Sequence, residues 1–350
     1  MDSSFWQGKK VFITGHTGFK GAWLAHMLLA LGAEPVGYAL EPPTVPSLFA
    51  LTGLANHMES IVADVRDGAR LAKAIAETTP DIIIHMAAQP LVRESYANPA
   101  MTYTTNVMGT VNLLEGVRNA PNVRSILNVT TDKVYRNSEV DRGYNETDIL
   151  DGNDPYSNSK SCSELVTRCY TDAFFASRDV AVSTARSGNV IGGGDFAKDR
   201  IIPDCIHAAL QHQTIIVRNP QSIRPYQHVL EPLAAYLLIA QRQYENPELS
   251  GCYNIGPNDD DYATTGELAG MFCRAWGDGQ AWEHRPDPDG PAESSILRLD
   301  CAKMRNVFDW KPKWTLGEAM ARTVDWAKQA TNGTATALTQ RQIAEFLKKK

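Results

Sequence analysis

A short apolar strand that runs straight into a glycine-spaced turn and then a helix constrains this chain more than any other feature. Lys9-Lys-Val-Phe-Ile-Thr14 reads as the strand, Gly15-His-Thr-Gly18-Phe-Lys-Gly21 follows at once, and Ala22-Trp-Leu-Ala-His-Met-Leu-Leu-Ala30 continues as a helix. Gly15 permits a tight turn, Gly18 lets the backbone approach a pyrophosphate, and Gly21 lets helix and strand pack closely. The helix N-terminus offers its free N–H groups to the anion. In that order and near the N-terminus, the pattern predicts a dinucleotide site lined by Gly15, Thr17, Gly18, Phe19 and Gly21. The second strand, Pro35-Val-Gly-Tyr-Ala-Leu40, ends without the usual acidic residue for a ribose 2′-hydroxyl, and Glu41 precedes two prolines. No arginine suited to a 2′-phosphate stands there either, so NAD is expected over NADP.

Further apolar segments at Ile61–Ala63, Ile82–Met86, Ser125–Val129 and Val180–Ala185 alternate with helical stretches near 68–78, 100–119 and 156–176. That alternation predicts an α/β fold, a Rossmann-type doubly wound parallel sheet. The pattern loosens after about 187, with Gly192-Gly-Gly194, turns near 218–225 and a Pro/Asp-rich stretch from Arg285 to Pro291. The expected organisation is a dinucleotide-binding domain over 1–187, to which 227–256 return, and a smaller α/β substrate-binding domain from 188–226 and 257–350. A small polar stretch, Thr331–Ala337, should link to a last helix. A net charge of −6 argues against nucleic acid as a partner. No apolar run approaches a membrane span of roughly 20 residues, and the N-terminus lacks a signal-like pattern, so a cytoplasmic protein is expected. The six cysteines show no Cys-x-x-Cys spacing and the histidines no ligand spacing, so neither a metal site nor a disulfide framework is expected; the thiols read as reduced and mostly buried.

Chemistry is concentrated in Pro155-Tyr-Ser-Asn-Ser-Lys160. Tyr156 and Lys160, four residues apart, share one face of a helix. A tyrosine with a pKa of about 10 needs fixed positive charge nearby to serve as a general base. Lys160 would supply one charge and an oxidised nicotinamide a second, which points to proton transfer at an alcohol or sugar hydroxyl.

Together these motifs resemble the extended short-chain dehydrogenase/reductases, and among them the nucleotide-sugar 4,6-dehydratases. The resemblance covers nearly the whole chain. It rests on the Gly15–Gly21 turn, Asp64, His85-Met-Ala-Ala-Gln89, Thr105-Asn106, Thr130-Thr-Asp-Lys133, the Tyr156/Lys160 pair, Gly188-Asn-Val-Ile-Gly-Gly-Gly-Asp195 and Ser222-Ile-Arg-Pro225. It implies catalytic roles for Thr131, Asp132, Lys133, Tyr156 and Lys160. Asp132 would protonate the departing carbon 6 hydroxyl and Lys133 take the carbon 5 proton. The dTDP-glucose branch carries glutamate where this chain has Lys133, and the CDP-glucose branch resembles it in having lysine. The resemblance further implies that Asp64, Val65, Ala87, Ala88, Gln89 and Asn106 line the cofactor. It places Asn189, Arg200, Arg218 and Arg224 on the nucleotide-sugar substrate, and helices near 100–119 and 156–176 in a homodimer contact. Action on another nucleotide sugar, 4-epimerisation, or a non-catalytic dinucleotide sensor are the alternatives. A sensor would have no need of Tyr156, Lys160 and Asp132 together.

Overall fold

In the computed structural model, residues 2–137, 142–287, 296–331 and 333–349 are described. Six strands, β1 (Lys10–Thr14), β2 (Glu34–Ala39), β3 (Glu59–Val62), β4 (Ile82–His85), β5 (Ser125–Val129) and β6 (Ala181–Ser187), are joined by a seventh, β7 (Cys252–Ile255). They form one sheet in the order β7-β6-β5-β4-β1-β2-β3, parallel throughout. The order reverses between β1 and β4, and in such sheets ligands gather beyond the carboxyl ends of the strands at that switch point.

Period-two alternation places successive strand side chains on opposite faces. Val11, Ile13, Ile82, Ile84 and Leu127 enter one core, whereas Phe12, Ile83 and Ile126 enter the other. Burial on both faces is why these strands are apolar runs and not alternating patterns. The helices that matter here are α1 (Phe19–Ala30), α2 (Gly68–Thr78), α3 (Gly109–Arg118), α4 (Pro155–Tyr170), α5 (Ile201–Leu210), α6 (Leu230–Glu245), α7 (Thr265–Trp276), α8 (Leu316–Gln329) and α9 (Ala335–Lys348). α1 is buried nearly all round, as a helix without a polar face must be. A separate apolar cluster joins Ile202 and Ile206 of α5, Leu268 and Phe272 of α7, and Met320 and Val324 of α8. Trp23 Nε1 donates to the Gly193 carbonyl at 2.9 Å, tying α1 to this second region.

Several expectations need correction. The stretch near 100–119 is not one α-helix: Pro99–Tyr103 leads into a π-turn, Thr104–Met108, before α3. A second π-turn, Thr171–Phe175, follows α4. Apolar periodicity does not distinguish an added residue per turn, and such turns recur at functional positions. The last helix packs both beside α1, where Leu338, Ile343 and Phe346 share a core with Trp23, Leu24 and Met27, and against α8, whose Trp326 Nε1 donates to Thr339 Oγ1 at 3.1 Å. The thiols are less buried than expected: Cys205 and Cys301 are buried, Cys162, Cys252 and Cys273 half-buried, and Cys169 exposed. Residues 288–291 of the Pro/Asp-rich stretch lie outside the described residues. Among the described residues, no helix is long and apolar enough to cross a membrane, and no group of side chains could hold a metal ion.

Candidate active site

The carboxyl ends of β1, β4, β5 and β6 open onto one crevice. β1 ends in the glycine turn. Gly15 has φ +82°, and a Cβ there would lie 2.8 Å from the Ala87 nitrogen at the end of β4, so the two loops meet backbone to backbone. A Cβ at Gly21 would lie 2.1 Å from the Gly15 carbonyl oxygen, which explains the helix's close seat. α1 begins on Gly18, which has no side chain to cap the first N–H groups. At Gly18 the nearest atom to such a Cβ is 3.5 Å away, leaving space where an anion can approach. Thr17 Oγ1 donates to the Leu40 carbonyl at 2.8 Å, pinning the turn to the end of β2, and Phe19 packs against the core below.

The other expected cofactor residues surround this turn. Asp64 accepts the Arg66 backbone N–H at 2.8 Å and its guanidinium, which holds the carboxyl below its usual range. Val65 is buried, and its carbonyl accepts from Asn112 of α3 at 2.9 Å. Ala87 N donates to Thr14 Oγ1 at 3.1 Å, while Ala88 is half-buried beside Gln89. Asn106 sits in the π-turn, where its amide oxygen takes the Gln89 N–H at 2.8 Å and its nitrogen donates to Ser159 Oγ at 2.8 Å. The extra residue in that turn thus aims one buried amide at both the β4 loop and α4.

α4 starts on an Asp154 N-cap followed by proline at its first position. The Tyr156 phenol is buried near the Thr131 side chain; burial pushes its pKa up to about 12, with Thr131 pulling it down, the Asp132 charge pushing it up and the Arg200 charge pulling it down. Lys160 sits one turn on and donates to the Val129 carbonyl at 3.0 Å; burial and then the Lys20 charge bring it down to about 8. Beneath the pair, Glu164 accepts from Thr130, from Thr184 at 2.7 Å and from both arms of Arg186. This ion pair is 3% exposed on each side.

Asp132–Val134 forms a 3₁₀ turn after β5, capped by the Thr131 side chain. Asp132 is 0% exposed and so is no surface residue. Its Oδ1 accepts from Thr131 Oγ1 at 3.0 Å and Lys133 Nζ at 2.9 Å, while its buried Oδ2 has no hydrogen-bond partner. Lys133 Nζ also donates to Asn189 Oδ1 at 3.2 Å, bringing Asn189 into the same cluster. A Cβ at Gly188 would stand 3.0 Å from that unpartnered Oδ2, so glycine keeps the space before it open.

The arginines expected on the substrate occupy the second region. Arg200, the α5 N-cap, pairs with Asp195 at 3.1 Å and its charge reaches Tyr156 and Lys20. Arg218 pairs with Asp199 at 2.9 Å, and Arg224 is buried with a bond to the Ile223 carbonyl at 3.0 Å. One member of the crevice went unassigned on sequence: Lys20, within the glycine turn itself, donates to Ser187 Oγ at 3.1 Å and Tyr236 Oη at 3.0 Å. Its only sequence signal is a long cation inside a motif otherwise read for its glycines.

A doubly wound parallel sheet with this glycine turn and this tyrosine–lysine helix is the architecture of an extended short-chain dehydrogenase/reductase. More narrowly, the chain belongs to the GDP-mannose 4,6-dehydratase family, whose model matches residues 12–323. It is 46% identical over 354 residues to a CDP-glucose 4,6-dehydratase of Salmonella typhimurium, covering 99% of this chain and 98% of that protein. A dTDP-glucose 4,6-dehydratase of Xanthomonas campestris is 28% identical over 340 residues, covering 90% and 92%. Among solved structures, a dTDP-glucose 4,6-dehydratase of Streptomyces venezuelae with NAD bound superimposes with a TM-score of 0.78 at 24% identity, over 94% of this chain and 99% of that one. At that identity the superposition shows the fold alone.

Proposed function

We propose that this protein is a CDP-glucose 4,6-dehydratase, converting CDP-D-glucose to CDP-4-dehydro-6-deoxy-D-glucose and water. The observation that carries the elimination is the buried, unpartnered Oδ2 of Asp132, on a carboxylate whose other oxygen is held by Thr131 and Lys133. The 46% identical relative supports CDP-glucose over other nucleotide sugars. The glycine turn, the uncapped start of α1 and the backbone contact at Gly15 fit a dinucleotide, with the residues from Gly15 to Gly21, Asp64 and Asn106 holding it. NAD bound there supplies a hydride acceptor that later returns the hydride.

Tyr156 takes the proton of the 4-hydroxyl, with the Thr131 side chain near the phenol favouring its ionised form. Burial opposes the phenolate, so positive charge must compensate; Arg200 acts on the phenol directly and Lys160 lies one turn away. Once carbon 4 is a ketone, the carbon 5 proton is acidic and Lys133 removes it. Passage of one proton across the 2.9 Å Lys133–Asp132 contact turns ammonium and carboxylate into amine and acid, the two forms elimination needs, with no change in net charge. Asp132 then protonates the carbon 6 oxygen as water leaves. Asn189, Arg200, Arg218 and Arg224 hold the substrate, the arginines offering planar donors to its diphosphate.

The test is proton NMR of protein incubated with NAD and, separately, CDP-, dTDP- and UDP-glucose. A new methyl doublet with CDP-glucose alone is the expected result; none with any sugar would return weight to an epimerase or a sensor. Asp132→Asn should slow water loss by roughly 10²-fold or more. Oxidation at carbon 4 should persist, so that reduced nicotinamide accumulates in stopped-flow absorbance; an unchanged rate would remove the acid role.

The functional unit in this reading is a homodimer in the cytoplasm, paired through the helices at 99–118 and 155–175. Met108, Leu165 and Phe174, exposed by 47%, 53% and 37%, support such a contact. Leu165→Asp should yield monomers in analytical ultracentrifugation, and an unshifted dimer would place the contact elsewhere.

A further inference from the structure

His85 ends β4 beneath the crevice, 1% exposed, and the steps above give it no part. Its two ring nitrogens face elements that both lead to the cofactor-lining residues. Nδ1 lies 2.7 Å from Thr14 Oγ1 at the end of β1, and Nε2 lies 3.3 Å from Thr110 Oγ1 in α3.

The other partners of those two hydroxyls decide which nitrogen carries the proton. A hydroxyl donates once and accepts twice. Thr14 Oγ1 accepts the backbone N–H groups of Met86 at 3.0 Å and Ala87 at 3.1 Å, so its own proton goes to His85 Nδ1. Thr110 Oγ1 donates to the Asn106 carbonyl at 2.8 Å, so towards His85 it accepts. One neutral tautomer meets both conditions, with N–H at Nε2 and a bare Nδ1. The other would bring a third N–H onto Thr14 Oγ1 and set two lone pairs against each other at Thr110. Burial and then the Lys160 charge hold the imidazolium down to about 3, so the ring stays neutral.

The remaining lone pair of Thr110 takes the Ser163 hydroxyl at 2.9 Å, and Ser163 accepts from Asn128 Nδ2 at 2.9 Å. That ties α4 into the same chain. Above it, the Asn106 amide takes the Gln89 N–H at 2.8 Å and donates to the Gln89 carbonyl at 3.1 Å. The bonds therefore close a cycle, from the β4 loop through Asn106 and Thr110 to His85, and back through Thr14 to Met86 and Ala87.

We propose that His85 is a positioning residue for hydride transfer: with its proton on Nε2, it locks the β4 loop, through Thr14, to the π-turn of Asn106, through Thr110. The proposal rests on the assignment of a dinucleotide to this crevice. Both locked segments carry residues assigned to that dinucleotide, and Asn106 also holds Ser159, next to Lys160. Loss of the lock leaves the reacting atoms misplaced, and a displacement of about 1 Å can cost 10²-fold in rate.

Neutron diffraction from crystals of perdeuterated protein should show deuterium on Nε2 of His85 and none on Nδ1; deuterium on Nδ1 would overturn the proposal. Kinetics supply the second reading. His85→Leu removes both nitrogens and should slow formation of reduced nicotinamide by about 10- to 100-fold in single turnovers at saturating NAD and CDP-glucose. The KM for CDP-glucose should change less than about threefold, which separates misplacement from a general loss of structure. His85→Asn, whose amide oxygen stands near the Nδ1 position and can accept from Thr14, should recover about tenfold of that loss. A leucine variant within about threefold of native, or an asparagine variant no faster than leucine, rejects the role. If the leucine variant does not fold, the deuterium position decides alone. Native protein that binds no nucleotide would fail the dinucleotide assignment and this proposal together, whereas normal binding and rate in His85→Leu would fail this proposal alone.

Discussion

Tyr156→Phe should lower turnover by roughly 10³-fold while leaving nucleotide affinity within about twofold. Phenylalanine keeps the buried ring and removes only the phenolic oxygen, so packing at the start of α4 is undisturbed. What disappears is the one group placed to accept a hydroxyl proton beside Thr131. Single-turnover kinetics, followed by formation of reduced nicotinamide, read the oxidation step alone. Loss of that phase with cofactor still bound is the expected outcome, and turnover within a few-fold of native would reject Tyr156 as the base.

The second large effect concerns the support under the site. Glu164→Ala should lower the unfolding free energy by about 3–5 kcal/mol, because it leaves the Arg186 guanidinium, 3% exposed, without its partner. Thr130 and Thr184 lose an acceptor at the same time. In urea denaturation that corresponds to a midpoint lower by about 1 M, with the slope unchanged. Replacing both partners by apolar residues of similar volume, Glu164→Leu with Arg186→Met, should recover much of the loss, since two desolvated charges then disappear together. If the single variant costs less than about 1 kcal/mol, the ion pair does not hold β5, β6 and α4 in register.

Much of this was legible in the chain, for reasons that differ by element. β5 falls where its apolar run stands, at Ser125–Val129, because Leu127 and Val129 enter one core and Ile126 the other, while the polar Ser125 and Asn128 are buried with hydrogen-bond partners. Thr131, Asp132, Lys133 and Tyr156 are brought together because two short motifs lie at the ends of neighbouring elements, β5 and α4. The π-turn around Asn106 was not legible: its cause is a set of side-chain bonds to Gln89 and Ser159, distant in sequence. Nor was the Glu164–Arg186 pair, whose members lie on different elements with nothing local to connect them. Lys20 escaped for the opposite reason, being so near the glycines that they absorbed the whole explanation of the turn.

The seat of α9 bears on how the chain is made. Phe346 and Ile343 complete the same core as Trp6, Trp23 and Leu24, and Thr336 hydroxyl bonds to the Thr52 carbonyl across the molecule at 3.2 Å. At elongation rates of about 5–20 residues per second, the first helix must wait many seconds for that cover to be synthesised. Throughout that interval the nascent chain presents an apolar flank on the ribosome. Chaperone capture of stalled fragments ending before α9, and its absence once the last helix emerges, is the behaviour this architecture imposes on biosynthesis.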